Sequence, residues 1–294
     1  MAFSHRRIDL QFKLGKGAFG ADGSDTVSLT GLRCSVNISK SGGVSMSELD
    51  LRVFGMQLDV MNKLTILNKL RYTDQRFNEV TVSAGDDQNG MAVCFTGIIS
   101  EAWADGAAAP DVAFQVKANT GLLEAVKPVP PVSYSGTVDV ATVLSGIAAQ
   151  MQPIRTLENS GVNARISNPY LAGTLRDQAL KVAEAAAINM IIDDTVLAIW
   201  PYGGSRDGEV AVVSPETGMV GYPTFTQNGV RILTLYNPSL VFGRTVSVKS
   251  SFTQANGNWV IASVHHNLSA EMPNGPWFTQ IECGLIGQET PIVG

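Results

Sequence analysis

Hydrophobic and polar residues alternate with period two along most of this chain, and only a few stretches switch to helical spacing. Ile8, Leu10, Phe12 and Leu14 fall on one face of the first such stretch, against Asp9, Gln11 and Lys13. Leu32, Cys34, Val36 and Ile38 alternate with Arg33, Ser35, Asn37 and Ser39, and Leu49, Leu51 and Val53 with Glu48, Asp50 and Arg52. Each pattern predicts a half-buried strand. Lys40-Ser41-Gly42-Gly43 reads as the turn between the second and third of them. Met56, Val60, Met61 and Leu64 recur at helical spacing, so 56–64 is predicted as a short helix across a barrel end. Strands follow from Val80 and Val82, then from Met91 to Trp103, around an Asp86–Gly90 turn. Residues 1–105 therefore read as a first antiparallel β-barrel domain with one short helix.

Asp105-Gly106-Ala107-Ala108-Ala109-Pro110 breaks the composition, and one more strand follows at Val112, Phe114 and Val116. Pro128, Pro130 and Pro131 stiffen a connector, since each proline fixes its own φ and restricts its predecessor. Then the period changes. Val140, Val143, Leu144, Ile147, Ala148 and Met151 share one helical face, with capping candidates at 137–139. Leu175 to Ala186 makes a second helix with Thr174 as N-cap and Asp177 in its first turn. Ile188–Asp193 and Val196–Trp200 form a hairpin through Asp194-Thr195. Residues 106–205 are thus an α/β insert domain.

After a second break at 203–208, residues 206–294 read as a second β-barrel domain. Val246, Val248 and Phe252 face one way, and Asn256-Gly257 and Asn274-Gly275 are hairpin signals. Tyr236-Asn237-Pro238 and Phe242-Gly243-Arg244 punctuate these strands, and the tail from Gly287 to Gly294 is expected to be loose. The fold class is mainly β (α+β): two tube-like antiparallel barrels with a small α/β domain between them.

Composition narrows the function. Charged residues make up 16% of 294 residues and net charge is −5, so there is no basic face for sequence-specific nucleic-acid binding. Such a surface suits a channel through which DNA slides without sticking. Three cysteines, Cys34, Cys94 and Cys283, are odd in number and widely spaced in predicted strands, which points to buried free thiols. The N-terminal residues show no secretory signal, and no apolar run reaches the ~18 residues of a membrane span.

Motifs of chemistry are weak. Gly15–Gly20 fits GxGxxG by letter but runs into more loop, not into a helix that could hold phosphate. His265 and His266 are adjacent on a strand and point to opposite faces. Asp86-Asp87 and Asp193-Asp194 sit at turns, where aspartate satisfies local amides. Trp259 and Trp277 lie in consecutive predicted strands and read as a cross-strand pair. No catalytic, cofactor-binding or metal-binding residue is assigned, no cofactor is expected, and the chain is read as not an enzyme.

Residues 218–223 (GMVGYP), 235–240 (LYNPSL) and 243–248 (GRTVSV) resemble the baseplate hub proteins of tailed phages, the tube-like hub or late control protein family. The strand and short helix at 47–64, the stretch from Tyr170 through Gly173, Thr174 and Gln178 to Leu180, and the hairpin ending Ile199-Trp200-Pro201 fit as well. Phe242 departs from the proline common before that glycine. The resemblance implies a structural homotrimer whose two barrels per chain make a pseudo-hexameric ring. That ring would join a hexameric tail tube, or its tube-initiator protein, to a trimeric central spike. Tape-measure protein and other baseplate subunits are further candidate partners, and genomic DNA would pass through the lumen without sequence-specific binding. The implied location is the virion tail baseplate, assembled in the host cytoplasm, with no membrane insertion. The alternative readings are a tail-associated cell-wall hydrolase and a carbohydrate-binding β module.

Overall fold

The structure, a computed structural model, describes residues 5–42, 45–67, 77–107, 109–153 and 155–285. Gly43 of the expected turn and the 287–294 tail lie outside the described residues. The chain forms two compact units, residues 1–39, 47–120 and 265–278 in one, and 40–46, 121–264 and 279–294 in the other.

The first unit is built from β1 (Arg6–Lys13), β2 (Thr26–Leu29), β3 (Cys34–Ser41), β4 (Glu48–Phe54), α1 (Leu58–Leu64), β5 (Glu79–Asp86), β6 (Gly90–Asp105) and β7 (Ala113–Asn119). Its strands run in the order β3-β4-β7-β6-β5-β1-β2, each pairing antiparallel. Period-two burial is strict: in β4 the inward Leu49, Leu51 and Val53 are buried, while Glu48, Asp50 and Arg52 are exposed. The α1 residues Val60, Met61 and Leu64 are buried, as the helical spacing predicts. One strand departs from the expected division. β7, placed by composition at the head of the α/β insert, lies between β4 and β6 in this unit. The glycine- and alanine-rich break before it falls inside the unit and not at a boundary.

The second unit contains α2 (Leu122–Val126), β8 (Pro128–Ser133), β9 (Thr137–Asp139), α3 (Val140–Ala148), β10 (Thr156–Asn159), β11 (Arg165–Ser167), β12 (Tyr170–Thr174), α4 (Leu175–Ala186), β13 (Ile188–Asp193) and β14 (Val196–Pro201). It continues with β15 (Arg206–Val213), β16 (Thr224–Thr226), β17 (Gly229–Leu235), β18 (Arg244–Val248), β19 (Gly257–Ala270) and β20 (Trp277–Gly284). β3, β19 and β20 each contribute residues to both units. The helix caps match the sequence: Asp139 accepts from Thr142 N at 2.9 Å, and Thr174 and Asp177 form a reciprocal capping box. The proline connector is an edge strand, β8, paired antiparallel with β12.

Two hydrophobic cores form in this unit. α3, α4 and the inner face of the β13–β14 hairpin bury Leu144, Met151, Val182 and Ile199. The strands from β15 onward bury Val230, Val246, Trp259, Val264 and Ile281 around Trp200. Within the unit β16-β17-β20-β19-β18-β15 is the strand order. β15 pairs parallel with β18, against the antiparallel expectation; the chain runs through β16 and β17 between them, and a parallel pair needs a crossover of that length where an antiparallel pair can close by a hairpin. β18 ends at Val248, so Phe252 leaves the strand and stacks on Tyr222, with centroids 4.7 Å apart, instead of facing the core. Asn256 has φ −73°, which excludes a two-residue Asn-Gly turn; a single 3-10 turn at Thr253–Ala255 joins β18 to β19.

Candidate functional site

The buried chemistry of the molecule lies in a charge network inside the second unit. β3 continues its inward positions Cys34, Val36 and Ile38 to Lys40, so the lysine of the expected turn is buried. Its Nζ donates to Asp193 Oδ1 at 2.9 Å and Asp194 Oδ2 at 2.6 Å. Asp193 Oδ2 accepts from Arg206 Nη1 at 3.0 Å. The same guanidinium donates from Nε and Nη2 to the two oxygens of Glu158, at 2.9 and 3.0 Å, and from Nη1 to Phe242 O at 3.1 Å. Arg155 extends the set, donating to Asp194 O at 3.1 Å and to Glu124 Oε1 at 2.5 Å.

Lys40, Asp193 and Arg206 hold one another ionised. Burial of Asp193 opposes its charge, yet Lys40 and Arg206 outweigh that and hold its carboxyl well below the usual carboxylate range. Burial of Lys40 likewise favours the neutral amine, and Asp193 and Asp194 override it, so the ammonium sits above the ordinary lysine value. An acid or base for catalysis needs the reverse, a pKa drawn toward neutrality. The network is therefore a set of locked ion pairs in a packed interior.

Backbone geometry fixes it. Gly243 has φ +80°, and a Cβ there would lie 2.9 Å from both Trp200 Cζ2 and Arg206 Cδ. Gly243 O also accepts from Arg206 N at 2.8 Å. The Phe242-Gly243-Arg244 mark is thus where the chain passes flush against the buried arginine, with Phe242 edge-on to Trp200. Tyr236-Asn237-Pro238 is a corner: Asn237 Oδ1 accepts from Ser239 N at 2.9 Å.

The other candidate residues fall as follows. Gly15–Gly20 is loop between β1 and β2. Asp86 Oδ1 accepts from the Gln88 and Asn89 amides, each at 2.8 Å, which is turn chemistry. His265 is exposed and His266 buried, on opposite faces of β19. Trp259 and Trp277 are not a pair: Trp259 sits in the second unit opposite Val246, and Trp277 in the first, under the Arg6 guanidinium. Cys34, Cys94 and Cys283 are buried thiols in no disulfide. Among the described residues no group of His, Cys, Asp and Glu could hold a metal, and no helix is long and apolar enough to cross a membrane.

The surface of the second unit carries unpaired strand edges. Among the described residues β15 pairs only with β18, and β16 only with β17. Val210 and Val212 are exposed on the first edge, and Phe225 on the second with Tyr222 just before it.

Solved structures share the fold at very low sequence identity. A tail protein from Neisseria meningitidis MC58 superposes with a TM-score of 0.61 at 9% identity, covering 95% of this chain and 98% of that one. The 43 kDa tail protein of prophage MuSo2 from Shewanella oneidensis gives 0.60 at 9%, over 94% and 96%. An E. coli type VI secretion component, described as structurally similar to T4 tail proteins gp27 and gp5, gives 0.57 at 9%, over 87% and 74%. No curated protein matches the chain in sequence. The family model for baseplate hub gp41 matches residues 12–283, and the chain belongs to that family.

Proposed function

We propose that this baseplate hub protein is a structural joint without catalysis, a homotrimer forming a pseudo-hexameric ring between a hexameric tail tube and a trimeric spike. Family membership over residues 12–283 is the observation that carries the reading. The order of a β region, an α/β region and a second β region along the chain supports it, the last two having separate cores. Two related β domains from each of three subunits supply six similar wall segments, which answers the mismatch between sixfold and threefold partners. The unpaired β15 and β16 edges with their exposed apolar side chains are the kind of surface that oligomers cover. The ring's bore passes DNA and tape-measure protein, and the assembly forms in the host cytoplasm before residing in the virion tail.

Native mass measurement tests this. A trimer, alone or with spike protein, is expected at micromolar concentration. A chain that stays monomeric with both spike and tube protein would remove the proposal. Hydrolysis of peptidoglycan by the purified chain would instead favour the cell-wall hydrolase, which no arrangement among the described residues favours.

A further inference from the structure

A small cavity in the second unit joins a buried carboxylate to apolar walls, and the ring reading makes no use of it. It measures about 60 Å³ and lies where α2, the start of β8, the chain just after α3 and the first residue of α4 meet. Leu123, Val129 and Leu175 supply the walls, and the exposed Gln150, Gln152 and Lys127 complete the lining. Glu124 is its acid, only 2% exposed because it shares the inward side of α2 with Leu122 and Leu123. One carboxylate oxygen is well supplied: Oε1 accepts from Arg155 Nη1 at 2.5 Å and from Gln152 N at 3.0 Å. The other, Oε2, is buried with no donor among the described residues. An ionised oxygen left in that state is costly, more so than a neutral one.

The charge count points the same way. The network to which Glu124 belongs sets three cations, Lys40, Arg155 and Arg206, against four carboxylates, Glu124, Glu158, Asp193 and Asp194. It is one positive charge short. Of the four, Glu124 alone combines a buried oxygen without a donor and a place in the lining of this cavity.

Size and lining select the missing donor. The volume is the share of roughly two waters at ~30 Å³ each. That admits an ammonium with a methylene or two. Its N–H groups can meet Glu124 Oε2 and the amide oxygens of Gln150 and Gln152, while the methylenes lie against Leu123, Val129 and Leu175. A divalent metal fits poorly, since one carboxylate oxygen and two amide oxygens fall short of the about six oxygen ligands it takes. Lys127 is the cation in the lining. Its side chain makes no ion pair or hydrogen bond among the described residues, and it follows Glu124 by three positions, within reach on a helix end.

We infer that this cavity is a site for a primary alkylammonium group, held by Glu124 Oε2, with Lys127 as its built-in competitor. A free alkylamine and a lysine side chain of another protein carry the same chemistry.

The test is the thermal midpoint of the full chain in matched chloride salts, because a ligand that binds only the folded state raises it. Ethylammonium should raise the midpoint of Lys127→Ala by a few degrees and that of the wild type by less. Tetramethylammonium has the same charge but no N–H and greater bulk, and should raise neither. Val129→Met fills the cavity with a flexible apolar side chain and leaves Glu124 in place, so it should abolish the ethylammonium effect in the Lys127→Ala background. Glu124→Gln in that background should abolish it as well, with circular dichroism confirming the fold. The blocked peptide Gly-Gly-Lys-Gly-Gly assigns the source: stabilisation by it and by ethylammonium points to a partner's lysine, and by ethylammonium alone to a free amine. Equal midpoints in ethylammonium and tetramethylammonium chloride, or a gain that survives Val129→Met, would overturn the inference. So would an equal gain from sodium or potassium chloride, which would make the cavity a metal-ion site.

Discussion

The two units handle charge in opposite ways. In the second, Lys40, Arg155 and Arg206 are withdrawn from water and matched to Glu124, Glu158, Asp193 and Asp194. In the first, Glu48 and Asp50 are exposed and make no ion pair or hydrogen bond through their side chains among the described residues. Buried charge survives only where geometry supplies a partner for nearly every donor and oxygen, so such a network fixes one arrangement of its strands. Exposed charge is solvated, contributes little to folding, and stays available to a partner. The contrast assigns shape to the second unit's buried charges, and leaves Glu48 and Asp50 of the first as solvated ones.

The strongest way to break the comparison is Asp193→Ala. It strips a partner from both Lys40 and Arg206 and leaves two buried cations under-compensated. A loss of about 3–5 kcal/mol is expected, read from the denaturant midpoint, with exchange of the β13 and β14 amides locating it. A loss under about 1 kcal/mol would mean that the network is effectively hydrated. Acid probes the same group. Its folded pKa is depressed, so its contribution is full above the unfolded value of about 3.9 and fades as pH falls below that. Asp193→Asn should flatten the stability–pH curve in that window. Lys40 has the opposite sign: its contribution is full below about 10.4 and fades as pH rises above it.

Glycines offer a smaller and cleaner contrast. Gly243 in the second unit and Gly90 in the first have φ of +80° and +77°. A Cβ at Gly243 meets Trp200 and Arg206, and one at Gly90 meets nothing within 4 Å. Gly90→Ala should cost about 1–2 kcal/mol, from the left-handed backbone alone. Gly243→Ala adds about 1–3 kcal/mol for overpacking. Equal losses in thermal or denaturant unfolding would show that the arginine yields, and that the turn is less tightly built than its distances imply.

Most of the fold was legible because period-two alternation, caps and turn residues act over a few positions. The capping box at Thr174 and the Asp194-Thr195 hairpin needed no distant partner. The charge network was hidden for the opposite reason. Arg206 follows Gly203-Gly204-Ser205, which reads as a linker, and its partners Glu158 and Asp193 are far away in sequence. Asp193 was assigned to its turn, although only Asp194 is in it. Lys40 did carry a local signal: it is the next inward position after Cys34, Val36 and Ile38, and a lysine there demands a buried acid. The parallel β15–β18 pairing had none, since pairing partners of distant strands leave no mark in either strand.

The smallest effect tests the comparison from the first unit's side. Glu48→Gln with Asp50→Asn removes two exposed charges that have no ion-pair partner among the described residues, so no buried partner is stranded. Global stability should change by no more than about 0.5 kcal/mol. Any change should be a gain, because the two carboxylates repel along one strand face, and it should shrink as salt rises. A loss above about 1 kcal/mol would mean that these carboxylates support the sheet, and the division between shape-fixing and solvated charge would fail there.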